Sequence, residues 1–222
     1  MKEIWETLLD LIYPELPLPG GLVPVREPFC FLCGEPFSGE LNPASVCTNC
    51  RGRRWYLRQA RAAYRAEGAV LEAIHRFKYS KQFHWLPRLS GWLADGFERF
   101  YATADPVVDV LVPVPLHPLR RRERGFNQAE ELARRLGRRY GLPVWKVLER
   151  RKATKTQASL RRSERLRNQR AAFALKRGFD VRGRRLLVID DVFTTGSTIN
   201  ACAQVLHKAG AERIDALTVA RG

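Results

Sequence analysis

Two adjacent acids at the end of an apolar run are the side chains of this sequence best placed for chemistry. Asp190 and Asp191 follow Leu186-Leu187-Val188-Ile189, and a turn rich in threonine, glycine and serine comes next. Because ligands of open α/β sheets bind at the carboxyl ends of the strands, this pair is expected to face a ligand. Carboxylates in that position accept hydrogen bonds from sugar hydroxyls.

The turn after the acids has the composition of a phosphate site. It consists of Thr194, Thr195, Gly196, Ser197 and Thr198, which we call the hydroxyl turn. A helix is expected to begin here, and the first N–H groups of a helix have no partner within it. Those groups and the hydroxyls together suit a phosphate dianion, so a sugar 5-phosphate fits the acids and the turn.

Two other classes of acid-bearing strand do not fit. A P-loop nucleotide hydrolase needs a G-x-x-x-x-G-K-[ST] loop, and the sequence has none. A haloacid-dehalogenase nucleophile requires Asp-x-Asp, whereas the two acids here are adjacent. The remaining alternative is that Asp190 and Asp191 only form a turn and cap the helix.

Four cysteines form a second constellation. They are Cys30, Cys33, Cys47 and Cys50, two C-x-x-C pairs separated by thirteen residues. The spacing is typical of a Cys₄ zinc knuckle, in which four thiolates close a structural site and leave no open catalytic position. Disulfides and free thiols are the alternatives. Since the first residues do not resemble a signal peptide, we expect a cytoplasmic protein, where thiols stay reduced and zinc is favoured.

The excess of basic over acidic residues favours negatively charged partners. Lysine and arginine total 39 against 23 acids, a formal net charge of +16. The basic residues cluster in 51–65, 120–124 and 150–170. Such a field attracts polyanions, including nucleic acids and phosphorylated small molecules, and an ordinary solvated surface is the alternative. No apolar run is long enough to cross a bilayer, so membrane insertion is not expected.

Aromatic side chains interleave with the first basic cluster and the stretch beyond it. They are Trp55, Tyr56, Tyr64, Phe77, Tyr79 and Trp85. Arginines and aromatic rings together bind single-stranded nucleic acid through charge and base stacking. Packing within the core is the alternative, and it is favoured for most of the six.

Hydrophobic periodicity gives the elements that must position these residues. Helices are expected over 1–13, 56–79, 84–101, 127–140 and 197–209. Strands are expected over 107–114, 144–149, 186–189 and 213–220, with a linker over 14–28 and a long flexible loop over 150–170. Strands that alternate with helices predict an α/β protein with a mainly parallel sheet. The chain then divides into an N-terminal helix, linker and zinc finger (1–55) and an α/β domain (56–222) that opens with a helical lead-in over 56–105.

Longer motifs resemble known families. Asp190-Asp191-x-x-Thr194-Thr195-Gly196-Ser197-Thr198 resembles the signature of type I phosphoribosyltransferases. Two stretches are similar to the ComF (competence protein F, or GntX-like) family, namely 113–120 with 124–129, and the loop pattern over 151–173. The four-cysteine knuckle belongs to the same family. The resemblance covers the chain from Cys30 onward and implies a type I phosphoribosyltransferase-like fold beside the zinc module.

The resemblance also implies site residues and cofactors. The acid pair would bind the ribose hydroxyls of phosphoribosyl pyrophosphate (PRPP), and the hydroxyl turn its 5-phosphate. The pyrophosphate loop would consist of Leu116, His117 and Arg120, although His117 could equally be a plain loop histidine. The flexible loop would bring Arg151, Lys155 and Arg161 to pyrophosphate or to a nucleic-acid backbone. Magnesium would accompany PRPP.

Two functions follow from the resemblance. A ComF-like competence protein would bind PRPP or 5-phosphoribose and assist the uptake or handling of single-stranded DNA in natural transformation, with a DNA-uptake helicase or a membrane channel as a candidate partner. The alternative is a metabolic phosphoribosyltransferase that transfers 5-phosphoribosyl to a nitrogenous base or amine and releases pyrophosphate with magnesium. No base-reading segment stands out, so the sequence leaves open whether transfer is catalysed and to which acceptor.

Overall fold

The computed structural model of the chain describes residues 21–37, 46–79, 83–103, 108–151 and 172–222. The helix expected over 1–13 lies outside these residues. The same holds for nearly all of the loop expected over 150–170, with Lys155 and Arg161.

A parallel four-stranded sheet forms the centre of the described chain. Its strands are β1 (Gln59–Arg65), β2 (Val110–Pro113), β5 (Arg185–Phe193) and β6 (Arg213–Arg221), in the order β1-β6-β5-β2. A separate antiparallel pair joins β3 (Leu148–Arg150) to β4 (Phe173–Leu175). Strand β2 and the first half of β5 read as apolar runs because helices or other segments cover both faces of the sheet.

The two faces carry different neighbours. The helices among the described residues are α1 (Gly68–Tyr79), α2 (Trp85–Phe100), α3 (Pro118–Arg124), α4 (Gln128–Tyr140) and α5 (Ser197–Lys208). Leu187 and Ile189 of β5 point to the face that packs against α1, α2 and α4. Leu186 and Val188 point to the opposite face, which packs against α5 and the four cysteines. Side chains alternate between the faces because successive residues of a strand point in opposite directions.

The helix expected over 56–79 is wrong in its first half. Residues Gln59–Arg65 form β1 and pair in parallel with β6, and the helix begins only at Gly68. Alanine and arginine have high helix propensity, so local preference favoured a helix. Tertiary packing makes the segment a strand instead, because it pairs with β6 and lies directly against α2. The approach is so close that a Cβ on Gly96 of α2 would lie 3.0 Å from the Ala63 side chain. Small residues on both elements allow the helix to lie this close to the strand.

Most other elements form where the periodicity predicts them. Helix α4 begins after Asn127, whose Oδ1 accepts a hydrogen bond from the N–H of Ala129 at 3.2 Å, and it ends at Gly141 with φ of 68°. The strand expected over 144–149 is shorter, since β3 starts at Leu148 and Val144 makes only an isolated bridge to Leu111. Within the described residues, no helix has the length and apolar character needed to cross a bilayer.

Candidate functional site

The two acids lie in the second half of β5, which continues beyond them to Phe193, and they have different surroundings. Asp191 is buried, and its Oδ2 lies 2.8 Å from Nζ of Lys78 on α1. Asp190 is partly buried, and its Oδ1 accepts a hydrogen bond from the N–H of Asp191 at 2.9 Å. Burial and the neighbouring charge of Asp191 raise the pKa of Asp190 to about 7. The pair is therefore one ion-paired carboxylate beside one that holds its proton more tightly than usual.

Lys78 is a site residue that sequence reasoning missed. It stands 113 positions before Asp191, at the end of a helix with no motif around it. Its ammonium occupies one oxygen of the pair, so a ligand that uses both carboxylates must share Asp191 with this cation or displace it. Charge alone is the signal in the sequence, and it does not distinguish Lys78 from the other basic residues.

The hydroxyl turn lies at the start of α5, as predicted. Gly196 has φ of 68°, a left-handed conformation that favours glycine. A Cβ there would lie 2.3 Å from the Phe193 ring and 2.7 Å from the Trp55 ring. The hydroxyls of Thr195 and Ser197 are 2.9 Å apart, so they point to the same place. The turn is thus seated on two aromatic rings.

A guanidinium group also reaches this turn. Arg53 donates from Nη1 to the carbonyl oxygen of Thr195 at 2.7 Å and from Nη2 to Oγ of Ser197 at 2.9 Å. A fixed positive charge beside a helix N-terminus favours an anion there. In the sequence Arg53 is one member of a basic cluster, and nothing there connects it to the turn.

The loop after β2 lies beside the acids. The N–H of Val114 donates to the carbonyl oxygen of Ile189 at 2.9 Å, so the chain leaves β2 next to Asp190. Leu116 and His117 are partly buried and Arg120 is exposed. Their contact with pyrophosphate stays a prediction.

His117 has a local role in this loop. Its Nδ1 accepts a hydrogen bond from the N–H of Leu119 at 3.3 Å, which caps α3. This accepting contact leaves the ring hydrogen on Nε2. The cap agrees with the alternative in which His117 is a structural loop residue, and it leaves Nε2 for a ligand.

Two consecutive arginines, Arg150 as the last residue of β3 and Arg151 directly after it, have different environments. Arg151, which the resemblance assigned to the flexible loop, donates from Nε to Oε1 of Glu149 at 2.7 Å on the surface. Arg150 lies over the Phe173 ring at 5.3 Å, and burial lowers its pKa while the charge of Asp190 opposes that shift. Of these two arginines, Arg150 is therefore the one that interacts electrostatically with Asp190. No motif in the sequence indicates this role.

The four cysteines come together as their spacing predicts. All are buried and reduced, and their Sγ atoms lie within 4.8 Å of one another. Sγ of Cys33 and Sγ of Cys47 are 3.6 Å apart, close to the edge of about 3.8 Å expected when four sulfurs lie about 2.3 Å from one ion. Burial raises the pKa of Cys33 to about 11, and it raises that of Cys50 further. Residues 29–37 and 46–52, which we call the cysteine knuckle, could hold a metal ion.

The aromatic residues proposed for base stacking are mostly packed inside. Tyr64, Phe77 and Trp85 are buried, and Trp55 and Tyr56 are partly buried. Tyr79 differs, because 58% of it is exposed and the guanidinium of Arg124 lies 5.0 Å from its ring centroid. The preference for core packing is thus confirmed for most of the set.

Comparisons with known proteins agree with this geometry. The family model described as Phosphoribosyl transferase domain matches residues 122–222, which include β5 and the hydroxyl turn. Competence protein F of Haemophilus influenzae is 33% identical and aligns over 87% of this chain and 85% of its own. Competence protein ComFC of Bacillus subtilis is 30% identical over 86% and 77%, respectively. DNA utilization protein YhgH of Escherichia coli O157:H7 is 32% identical over 86% and 83%.

Solved structures give a weaker likeness. An adenine phosphoribosyltransferase from Leishmania tarentolae has a TM-score of 0.41 and 16% identity over 64% of this chain and 60% of that chain. The parallel sheet, its flanking helices and the matched domain nevertheless define a type I phosphoribosyltransferase-like fold. Together with identities of 33% and 30% over most of these relatives' length, they establish that the chain belongs to the ComF family of competence proteins.

Proposed function

We propose that this protein binds PRPP or a related 5-phosphoribose at the acid pair and the hydroxyl turn, and that it assists the handling of single-stranded DNA in the cytoplasm during natural transformation. The observation that carries the proposal is the meeting of the Thr195 and Ser197 hydroxyls with the Arg53 guanidinium at the start of α5, a few residues after Asp190 in the chain.

Support for the sugar-phosphate part comes from matched charge and distance. The hydroxyl turn offers helix N–H groups, two hydroxyls and a neighbouring guanidinium to a phosphate dianion. Asp191 precedes Thr194, the first residue of the turn, by three positions in the chain, so a ribose that carries the bound 5-phosphate would lie near the acids. The oxygen donors of the pair suit a hard cation such as magnesium, which would neutralise the pyrophosphate.

The cysteine knuckle is proposed to hold zinc. Buried thiolates with no cation among them would be costly, because burial raises the pKa of the Cys33 and Cys50 thiols. A soft dication with tetrahedral preference removes that cost, and zinc is the common occupant of a site with four cysteines. Its role would be structural.

The DNA part draws on surface charge and on the names of the relatives. Arg120, Arg121 and Arg122 of α3 are exposed, and α3 contributes no residue to the core. The exposed ring of Tyr79 and the nearby Arg124 add a surface where a base could stack. Two relatives are competence proteins and a third is a DNA utilization protein.

Calorimetric titration of PRPP with magnesium tests the sugar-phosphate site. Asp190→Asn combined with Asp191→Asn should weaken binding at least tenfold, since hydrogen bonds to charged groups contribute about 1.5–3 kcal/mol each. Asp180→Asn is the matched control, because Asp180 is exposed and pairs with Arg182 at the surface. Wild-type affinity in the double variant would show that the site is wrongly assigned.

Fluorescence anisotropy of a labelled single-stranded oligonucleotide tests the DNA part. Affinity should fall steeply with salt, and Arg120→Ala with Arg122→Ala should make the dependence shallower by about 0.7 for each phosphate that the variant no longer neutralises. Arg135→Ala with Arg138→Ala removes two exposed arginines of α4 as a control of equal charge. If both double variants behave alike, net charge and not α3 accounts for the binding.

A phosphoribosyltransferase reaction is the second candidate, favoured by the family model over 122–222. It predicts pyrophosphate release from PRPP that depends on a nitrogenous base or amine. A panel of such acceptors, assayed by coupled pyrophosphate detection, separates this activity from binding alone. Release with one acceptor would establish an enzyme, and release with none would favour the binding role.

A further inference from the structure

The chain leaving the cysteine knuckle runs along the hydroxyl turn and α5. This exit segment, residues 53–56, begins three positions after Cys50. The Arg53 guanidinium bridges the carbonyl oxygen of Thr195 and the hydroxyl of Ser197, and it also lies 4.5 Å from the centroid of the Trp55 ring. A planar fork held by a ring and two acceptors keeps one orientation, so it fixes the spacing between Thr195 and Ser197.

Asn200 attaches the same segment to the first turn of α5. Its Oδ1 accepts a hydrogen bond from the N–H of Tyr56 at 2.9 Å, and its Nδ2 donates to the carbonyl oxygen of Arg54 at 2.9 Å. One turn further, Nε2 of Gln204 donates to the hydroxyl of Tyr56 at 2.9 Å. The exit segment is thus bonded to α5 along its length, and the start of the helix moves with it.

The other half of the knuckle reaches the turn by a separate route. Glu35 lies two positions after Cys33 and forms an ion pair with Arg221 of β6. Nη1 of Arg221 donates to the carbonyl oxygens of Phe193 at 3.0 Å and of Thr194 at 2.9 Å. Arg221 is 7% exposed, so its side chain reaches the first residue of the turn from a buried position, although the bond to Thr194 is only partly buried.

The aromatic seat of the turn joins both routes. The rings of Trp55 and Phe193 stack with centroids 6.3 Å apart and an angle of 21° between their planes. Gly196 lies against both rings, with no room for a side chain. One ring therefore comes from the exit segment and the other from β5, and the turn rests on the pair.

We propose that the cysteine knuckle holds the hydroxyl turn in its anion-binding shape, with Arg53 and Glu35 as the two positioning residues. The inference rests on the proposed sugar-phosphate site and adds how that site is kept in order. Each C-x-x-C pair is followed within three residues by one of the two side chains. An ion that orders the cysteines would fix both, so metal at the knuckle and anion at the turn would stabilise each other's binding, as thermodynamic linkage requires.

Hydrogen exchange of the ligand-free protein tests the positioning role without any ligand. Arg53→Ala should raise exchange of the amides of 194–200 about tenfold, because the turn loses two hydrogen bonds from a charged donor. Glu35→Gln should raise it less, since Arg221 keeps its bonds to the turn. Arg51→Ala is the control, an exposed arginine of the knuckle. Unchanged exchange in both test variants would overturn the inference.

The conservative variant separates geometry from charge. Arg53→Lys keeps the positive charge, but one ammonium lacks the fork that reaches Thr195 and Ser197 together. We expect exchange of the turn to stay raised in Arg53→Lys, with the global unfolding midpoint and the metal content as in the wild type. Complete recovery by lysine would show that charge suffices and that Arg53 does not position the turn.

Ligand binding gives the second readout. With magnesium present, Arg53→Ala should weaken PRPP binding about tenfold, whereas Arg51→Ala should leave it unchanged. If neither the wild type nor any variant binds PRPP while Arg53→Ala still loosens the turn, the proposed function fails and the coupling stands. If PRPP binds Arg53→Ala as tightly as wild type, the coupling fails and the proposed function stands.

Removal of the metal completes the test. A chelator strong enough to strip the knuckle should raise exchange of 194–200 in the wild type and add little in an Arg53→Ala, Glu35→Gln double variant, where both routes are already cut. Equal loosening of the turn in both proteins would mean that the metal acts through some other path, against the inference.

Discussion

The cysteine knuckle and the parallel sheet owe their order to different physics. In the sheet, Leu111, Leu187 and Ile189 are completely buried among other apolar side chains. In the knuckle, the buried side chains at the centre are four thiols, and the Phe29 ring is only partly buried, with the guanidinium of Arg61 4.7 Å from its centroid. Burial of apolar area stabilises the sheet, whereas the stability of the knuckle is proposed to come from a metal ion held by its four thiolates.

This difference predicts that each region responds to its own perturbation. A change that removes apolar packing should weaken the whole domain cooperatively, because the sheet carries its core on both faces. A change that removes metal should loosen the knuckle first and reach the sheet through the contacts between the two regions, such as the ion pair of Glu35 with Arg221 and the hydrogen bond from Arg61 to Phe31. Metal removal should therefore have the larger local effect and core truncation the larger global one.

Loss of the metal is expected to have the largest effect. Cys47→Ser should abolish stoichiometric zinc and raise exchange throughout 46–56, because structural zinc contributes on the order of 10 kcal/mol to small metal-ordered modules. Mass spectrometry of the native protein and hydrogen exchange check this. Protection of amides in the middle of β5 should persist. If it vanishes together with the knuckle, the two regions are one cooperative unit and the contrast between them is wrong.

Truncation in the sheet should come next. Leu187→Ala is expected to lower the free energy of unfolding by about 2–5 kcal/mol, because Leu187 is completely buried and its neighbours can fill the cavity only in part. Urea unfolding measures the change, and zinc content should stay at the wild-type level. Leu119→Ala, at a position 54% exposed, is the matched control and should change stability little.

Titration of Asp190 should make the free energy of unfolding depend on pH, with an effect of intermediate size. The folded pKa of Asp190, about 7, lies above the ordinary aspartate value, so the folded state binds more protons than the unfolded state between about pH 4 and 7. Stability from this group is therefore present at low pH and is lost as pH rises through 7, with a slope no steeper than about 1.4 kcal/mol per pH unit. Urea unfolding at several pH values measures it. Asp190→Asn should flatten this part of the profile, and an unchanged slope would assign it to another group.

Removal of an exposed ion pair should have the smallest effect on the free energy of unfolding. It provides the reference against which the larger changes in the knuckle and in the sheet are compared. Arg151→Ala removes an exposed ion pair with Glu149 and should change the free energy of unfolding by less than about 1 kcal/mol. Arg150→Ala should cost more, because Arg150 packs against the Phe173 ring. Thermal or urea unfolding of the two variants side by side decides the order, and the reverse order would contradict the environments described for β3.

Local signals in the sequence predicted much of this arrangement. The apolar run before Asp190, the Asn127 cap and the cysteine spacing each act over a few residues, and each forms as expected. The contacts that join the regions are not local. Arg53 meets Thr195 across 142 positions, and no pattern near either residue indicates that contact.

The strand β1 illustrates the same limit. Its alanines and arginines suit a helix by themselves, and only β6 supplies the partner that makes the segment a strand. The Arg61 side chain then becomes buried and donates to the carbonyl oxygen of Phe31 in the knuckle. Pairing with a strand some 150 positions away decides this element, so windows of a dozen residues could not have found it.

The position of β6 has a consequence for synthesis. Among the described strands it comes after all the others along the chain, yet it lies between β1 and β5. While a ribosome is still making Arg213–Arg221, β1 and β5 both present unpaired edges, and the nascent chain is open to association with other chains. Assembly of the sheet must therefore await the emergence of β6, and shortening the chain before Arg213 should yield aggregates in place of a smaller folded domain.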